Sequence, residues 1–415
     1  SLSATVQRAL LHQGVLLPDT FTMSMTGANT YWSRNFPPAS GASPPAANIS
    51  ATLNACGPAL STHAWNGDLT LCAVCPNNNE VHLYKVSGNG SKWDRQCILK
   101  DHTQLVSSLS WAPNSNKLLS VSHDRNAFVW EQKGASWEPV LVVLRLNRAA
   151  LCGTWSQSEA KFAIGSGAKA VCVCYYEPDN NWWISKHIKK KHASSVTGVA
   201  WHPNNVMLAT CSSDNKCRIY SAFVKGVDDP GHLNSTLAGV DGFGEVLLEI
   251  NTATGWGNSV SWSPSGASLV FVSQDSCLHY VCGMSGTATG CQKPVSTVYL
   301  STMPYAAVLF LSENTIIAAG YDCSPVMFEA DSSGVFKPTK ILSAADSGVS
   351  PKRASQFNAA FDMFRVQSEQ GQSSADGSAV GFLGPHKNTI TCIKQMDAKQ
   401  FSTSALDGKV VVWKL

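Results

Sequence analysis

The chain repeats one short frame seven times, and this repetition limits its fold more than any other feature. The clearest copy is His192–Tyr220, HASSVTGVAWHPNNVMLATCSSDNKCRIY. Three strand-length runs, Val196–Trp201, Val206–Cys211 and Lys216–Tyr220, are parted by His-Pro-Asn-Asn at 202–205 and Ser-Ser-Asp-Asn at 212–215. Runs rich in Val, Ile, Thr and aromatics between Pro, Asn, Asp and Ser read as an antiparallel meander. So small a sheet cannot bury its own faces and has to be stacked.

Trp201 precedes Asp214 by thirteen residues, and Asp214 precedes Tyr220 by six. The frame recurs as Trp111, Asp124, Trp130, as Trp65, Asn78, Tyr84 and, with a one-residue insertion, as Trp155, Lys169, Tyr175. Trp262 and Asp275 follow, then Leu309, Asp322 and Phe328, then Lys394, Asp407 and Trp413. The turn positions 78, 124, 169, 214, 275, 322 and 407 are spaced 46, 45, 45, 61, 47 and 85 apart. A base period near 45 residues is that of four-stranded WD40 blades. Helical solenoids of similar period need a helical apolar periodicity that these turn-rich units lack. The expectation is an all-β fold: a seven-bladed WD40 β-propeller with a short helical insert before the last blade.

WD40 blades carry a hydrogen-bonded set: a His ahead of the first strand, a Ser or Thr on the next, the turn Asp and a strand-end Trp. Here the candidates are His102, Ser120, Asp124 and Trp130, with His192 and Asp214, and His386, Asp407 and Trp413 in other blades. His and Asp beside hydroxyls also resemble a hydrolase triad, but a set that recurs with the repeat reads as a buried network locking each blade.

Composition narrows the function. Charged residues make up 14% of the chain and the formal net charge is +3, which does not suggest nucleic-acid binding. The longest apolar runs are of strand length, so no membrane insertion is expected. Seven of the fourteen Cys fall in strand patterns (Cys72, Cys152, Cys172, Cys174, Cys211, Cys217, Cys392) and read as small buried hydrophobes, the reduced thiols of a cytoplasmic protein. Cys72 and Cys75 form the single CxxC, with no second pair at zinc spacing. There is no phosphate-cradling Gly-Lys-Ser/Thr loop and no nucleophile elbow. Neither a catalytic residue nor a cofactor is expected.

Along the chain, residues 1–48 lie outside the repeat and are rich in Ser, Thr, Ala and Pro, a flexible extension rather than an organelle leader. The propeller is expected over 49–415. Leu415 follows directly on the third strand of the seventh frame, so Ile49–Asn54 is expected to supply the fourth and close the ring. After the third frame, Trp182 and Trp183 should point to opposite faces of an extended strand. Lys186, Lys189, Lys190 and Lys191 follow as the strongest basic cluster. It is either a solvated edge or a dock for an acidic peptide. The 61-residue gap carries an insert at 224–256, read as a surface loop. The 85-residue gap carries a second at 340–385, with Gly/Ser/Asp-rich flanks around 354–366. Phe357, Phe361 and Phe364 stand there at i, i+4 and i+7, one face of a helix, with Met363 beside them. Such a stripe needs either the propeller rim or a partner's groove.

Several stretches are peculiarities of sequence rather than propeller features. They are His63-Ala-Trp65, Pro76-Asn-Asn-Asn-Glu-Val-His-Leu-Tyr84, Asp124-Arg-Asn-Ala-Phe-Val-Trp130, Asn147-Arg-Ala-Ala150, Trp182-Trp-Ile-Ser-Lys-His-Ile-Lys-Lys190, Trp201-His-Pro-Asn-Asn205 and Lys216-Cys-Arg-Ile-Tyr-Ser-Ala-Phe223. From about residue 55 onward they make the chain resemble the WD40 subunit of the actin-related protein 2/3 complex, which nucleates branched actin filaments. The resemblance implies a non-catalytic scaffold in the cytoplasmic actin cytoskeleton, packed against the other subunits of that complex. It also implies contact with actin and with the acidic tails of nucleation-promoting factors, and a helical insert near Phe361 and Phe364 that protrudes toward actin or the activator. Val366-Gln-Ser368 departs from the aliphatic-acidic ending expected there. The rival reading is a generic WD40 adaptor, such as a ubiquitin-ligase substrate receptor. An enzyme would need polar groups converging on the central channel.

Overall fold

In the computed structural model the residues described are 48–53, 57–87, 92–134, 136–232, 236–237, 240, 242–300, 302–342 and 385–415. They build seven four-stranded antiparallel sheets. Blades 1 to 6 occupy 62–99, 106–142, 150–188, 196–250, 257–299 and 305–341, each running from inner to outer strand in chain order. Blade 7 joins Ile390–Gln395, Gln400–Ala405 and Val410–Lys414 to the outer strand Asn48–Leu53. The second strand of each blade is buried on both faces and reads as an unbroken run of small or apolar residues, as in LLSVS at Leu118–Ser122. Outer strands alternate instead, so Trp182 is 49% exposed while its neighbour Trp183 is 4% exposed.

The frame needs one correction. Trp155 pairs with Phe162 and Phe162 with Cys174, just as Trp201 pairs with Leu208 and Leu208 with Tyr220. Blade 3 therefore has no insertion: Cys174, not Tyr175, matches Tyr220. Lys169 (φ 60°) takes the left-handed turn position that Arg125 (73°), Asn215 (65°) and Ser276 (59°) hold elsewhere. Ala168 falls where the other blades place Asp. The turn keeps its backbone shape and loses its carboxylate. The segment 224–256 also differs from a plain loop, because it supplies the outer strand Val246–Ile250 of blade 4, and its Val224 and Leu237 are buried.

Neighbouring blades are latched through a recurring β-bulge near the start of the inner strand. A bulge adds one residue and re-aims its side chain. The bulged Ser107, Thr197 and Thr391 donate to the carbonyls of Ala150, Gly257 and Leu60 at 2.8, 2.5 and 3.0 Å. The Asn258 amide reaches the Tyr305 carbonyl at 2.8 Å, and Ser61, just before the blade 1 strand, reaches that of Val106 at 2.9 Å. Each partner carbonyl belongs to the next blade. The channel walled by the inner strands, about 610 Å³, is therefore lined mostly by small residues whose hydroxyls are spent on holding the ring.

The seam between blades 7 and 1 carries an extra lock. His63, fully buried, bonds Ser404 Oγ through Nδ1 at 2.9 Å and Ser402 Oγ through Nε2 at 2.7 Å. Trp65 Nε1 donates to the same Ser402 oxygen at 2.9 Å. Burial, with help from Lys394 and His386, holds the His63 imidazole down at about 3, so it is neutral.

Candidate functional site

The turn Asp and the residue heading each inner strand meet on one face of the propeller, termed here the turn face. Two blades carry a complete set there, and a third carries all of it but the Trp. His102 Nδ1 lies 2.8 Å from Asp124, its Nε2 lies 2.8 Å from Ser120 Oγ, and Trp130 Nε1 donates to that oxygen at 2.9 Å. His386 spans Asp407 at 3.3 Å and Thr403 at 2.7 Å, with Trp413 donating to Thr403 at 2.9 Å. His192 spans Asp214 at 3.1 Å and Thr210 at 2.8 Å. The hydroxyls of Thr403 and Thr210, absent from the sequence candidates, are found by counting four residues back from each Asp.

Blade 4 replaces the Trp by Tyr220 and adds Arg218, which donates to Asp214 at 2.8 Å and to Glu249 at 2.8 Å. Burial pushes the Asp214 carboxyl up, but Arg218, the Ala193 N–H and His192 outweigh it and hold the group at about 2. No hydroxyl of these sets lies open beside its imidazole: each is buried and already bonded on strand-strand surfaces, which is the arrangement of a lock and not of a nucleophile.

Blade 5 inverts the pattern. Ala253 stands at the His position, and His279 from the third strand fills the space instead. It bonds Ser273 at 3.0 Å, Thr252 and Thr297 at 3.0 Å, and stacks on Phe271 at 4.6 Å. Asp275, Cys277 and His279 hold their ligand atoms within 4.8 Å of one another, the spacing of a metal trio. Both His279 nitrogens are already bonded, burial holds that imidazole at about 4, and burial pushes the Cys277 thiol to about 12. These residues fit a structural network better than a metal, which wants a thiolate. Cys72 and Cys75 lie buried in blade 1.

The basic cluster lies on the turn face over blades 2 to 4. Lys189, Lys190 and Lys191 are exposed on the connection leaving Trp182–Ile188. Lys191 faces Glu245 at 3.9 Å and Lys186 lies over the Phe243 ring at 4.3 Å. Because Val171 pairs with Ile188, the exposed Lys169 turn abuts Lys189 and Lys190 across the strand end. Arg148 sits over Gly167 in the same turn, and Arg125 and Arg145 occupy the corresponding end of blade 2. Arg125, Arg148, Lys169, Lys189 and Lys190 have no ion pair among the described residues. Sequence reasoning saw only the contiguous lysines, because the other cations are brought in by blade geometry.

A buried cation was also missed. Lys161 Nζ, fully buried, donates to Asp228 at 2.6 Å and to the Ala222 carbonyl at 2.9 Å, and lies 5.0 Å from the Trp201 ring. It ties blade 3 to the 222–228 segment. Phe357, Phe361, Met363 and Phe364 lie outside the described residues. Among the described residues no helix is long and apolar enough to cross a membrane.

Comparison with known proteins now bears on identity. The WD domain, G-beta repeat family model matches residues 93–131 and 183–221. Actin-related protein 2/3 complex subunit 1B of Arabidopsis thaliana is 45% identical over 365 residues, 86% of this chain and 94% of that protein. Subunit 1A-B of Xenopus laevis is 39% identical over 85% of this chain and 93% of its own length. Subunit 1 of Schizosaccharomyces pombe is 34% identical over 85% and 96% respectively. Identity of this extent makes the chain a member of the actin-related protein 2/3 complex subunit 1 family.

Proposed function

We propose that this chain is a non-catalytic scaffold subunit of an actin-related protein 2/3 complex and supports nucleation of branched actin filaments in the cytoplasmic cytoskeleton. The observation that carries this is identity of 34–45% to named subunits of that complex over nearly their whole length. The generic adaptor reading leaves that identity unexplained. The polar residues agree with a scaffold: the His–Asp sets are buried locks, and the channel hydroxyls are bonded between blades.

The exposed cations over blades 2 to 4 support a second element of the proposal, docking of the acidic tails of nucleation-promoting factors at Lys189, Lys190 and Lys191. Like charges held side by side are unfavourable until an anion covers them, and such a strip steers an acidic segment at long range. The stripe of Phe357, Phe361 and Phe364, with Met363, is proposed to contact actin or the activator. Affinity purification of the tagged chain tests the reading. Two actin-sized chains and several small subunits at equal stoichiometry, active in filament branching, are expected. A ligase scaffold, or no stoichiometric partner, would sink it.

A further inference from the structure

Blade 6 keeps the turn Asp but none of its usual side-chain partners. Met303 N donates to Asp322 at 3.1 Å as Thr103 N does to Asp124, so Thr302 stands where His102 stands in blade 2. Ala318 replaces the hydroxyl and Phe328 the Trp. Threonine is too short to reach across, and among the described residues Asp322 is left with that one N–H bond. Burial raises its carboxyl above the usual range, with the Met303 N–H only partly offsetting this. Two further polar atoms face the gap. Tyr305, 1% exposed, turns its hydroxyl toward that of Thr302 and into the field of Asp322, and among the described residues neither oxygen has a partner beyond the other. Buried polar atoms without partners are costly and rare, and several at one place call for an explanation. Around the gap the turn face is apolar: Met303 is 55% exposed and Tyr321 41%.

We propose that Asp322, Thr302 and Tyr305 form an incomplete socket that accepts one lysine or arginine side chain from a partner polypeptide, with Met303 and Tyr321 gripping its apolar neighbours. A carboxylate and two hydroxyls offer acceptors only to a multivalent donor, which describes an ammonium or guanidinium group. Blades 2, 4 and 7 do not leave the Asp alone: each supplies an imidazole to it, and blade 4 adds an arginine. The partner rests on the reading above, that the chain works inside a multisubunit complex.

The test uses the complex assembled with its other subunits, carrying the photo-crosslinker p-benzoylphenylalanine at Met303. One crosslinked partner peptide with a Lys or Arg within a few residues is expected. The yield should fall at least about tenfold in Asp322→Asn, and also in Thr302→His, which restores the imidazole of blade 2 and so seals the socket. Crosslinks that ignore both changes, that lack a cationic residue, or that reach only residues 343–384 of the same chain would overturn the proposal. If no complex assembles, the scaffold reading fails and the socket is read on the isolated chain with propylguanidinium as the probe. Shifts of the Tyr305 resonances, absent in Thr302→His, then uphold the socket, and no shift refutes it.

Discussion

The same turn aspartate should be indispensable in blade 2 and dispensable in blade 6. Asp124 accepts from His102 Nδ1 at 2.8 Å, Thr103 N at 3.0 Å and Asn126 N at 3.0 Å. Asp124→Ala strands a buried imidazole N–H that water cannot reach, while the two backbone donors lie near solvent. One orphaned buried donor plus the lost charge-assisted bond amounts to about 2–4 kcal/mol. That lowers the folded-to-unfolded ratio roughly 30- to 1,000-fold. Asp322 accepts one bond and has no cation, so Asp322→Ala should cost no more than about 1 kcal/mol. The assay is urea denaturation of the two variants and the parent chain at neutral pH, followed by Trp fluorescence. The pH dependence sharpens it. Burial pushes Asp124 up, but His102 outweighs that and holds it below the usual range, so its contribution is present above the ordinary carboxylate pKa and is lost as pH falls through the folded value. Asp322 is raised, so its ionisation opposes folding and acid relieves it. Equal destabilisation by the two substitutions would refute the claim that the imidazole, and not the turn geometry, is what the aspartate secures.

The remaining predictions concern other parts of the molecule. Because His63 is held at about 3, the unfolded chain binds its proton first below about pH 6.5; stability should drop by roughly 1.4 kcal/mol per pH unit from there toward pH 3, a slope that His63→Gln removes. Lys161→Met leaves the Asp228 carboxylate buried without its cation, with the Val224 N–H as its remaining donor, and should cost about 3–5 kcal/mol in denaturant unfolding, part of it recovered by adding Asp228→Asn. Changing Lys189, Lys190 and Lys191 together to Glu should weaken binding of an acidic activator tail at low ionic strength and leave little difference at high salt; unchanged affinity at low salt would return the cluster to a solvated edge. Changing Phe357, Phe361 and Phe364 together to Ser should spare the melting temperature and reduce branch formation, whereas a large fall in melting temperature would show that the stripe is core.

The sequence by itself determined the number of blades and the strands of most of them. A repeat that cannot bury itself leaves its period in the letters, because every copy has to solve the same stacking problem. The Trp182–Trp183 alternation was legible for the same reason, since a strand has a period of two. What the letters hid was whatever depends on two blades at once. Lys169 looks like a displaced Asp in sequence and proves to be the left-handed turn residue, since register counts paired backbones and not side-chain types. His279 entering from the opposite strand, the bulge hydroxyls reaching the next blade, the His63 seam and the Lys161–Asp228 pair all join residues far apart in the chain. The cations of blades 2 and 3 form one strip only after the sheets pack side by side. Only the tertiary structure decided these, because hydrogen bonding and Coulomb attraction act over a few ångströms of space, to which distance along the chain is no guide.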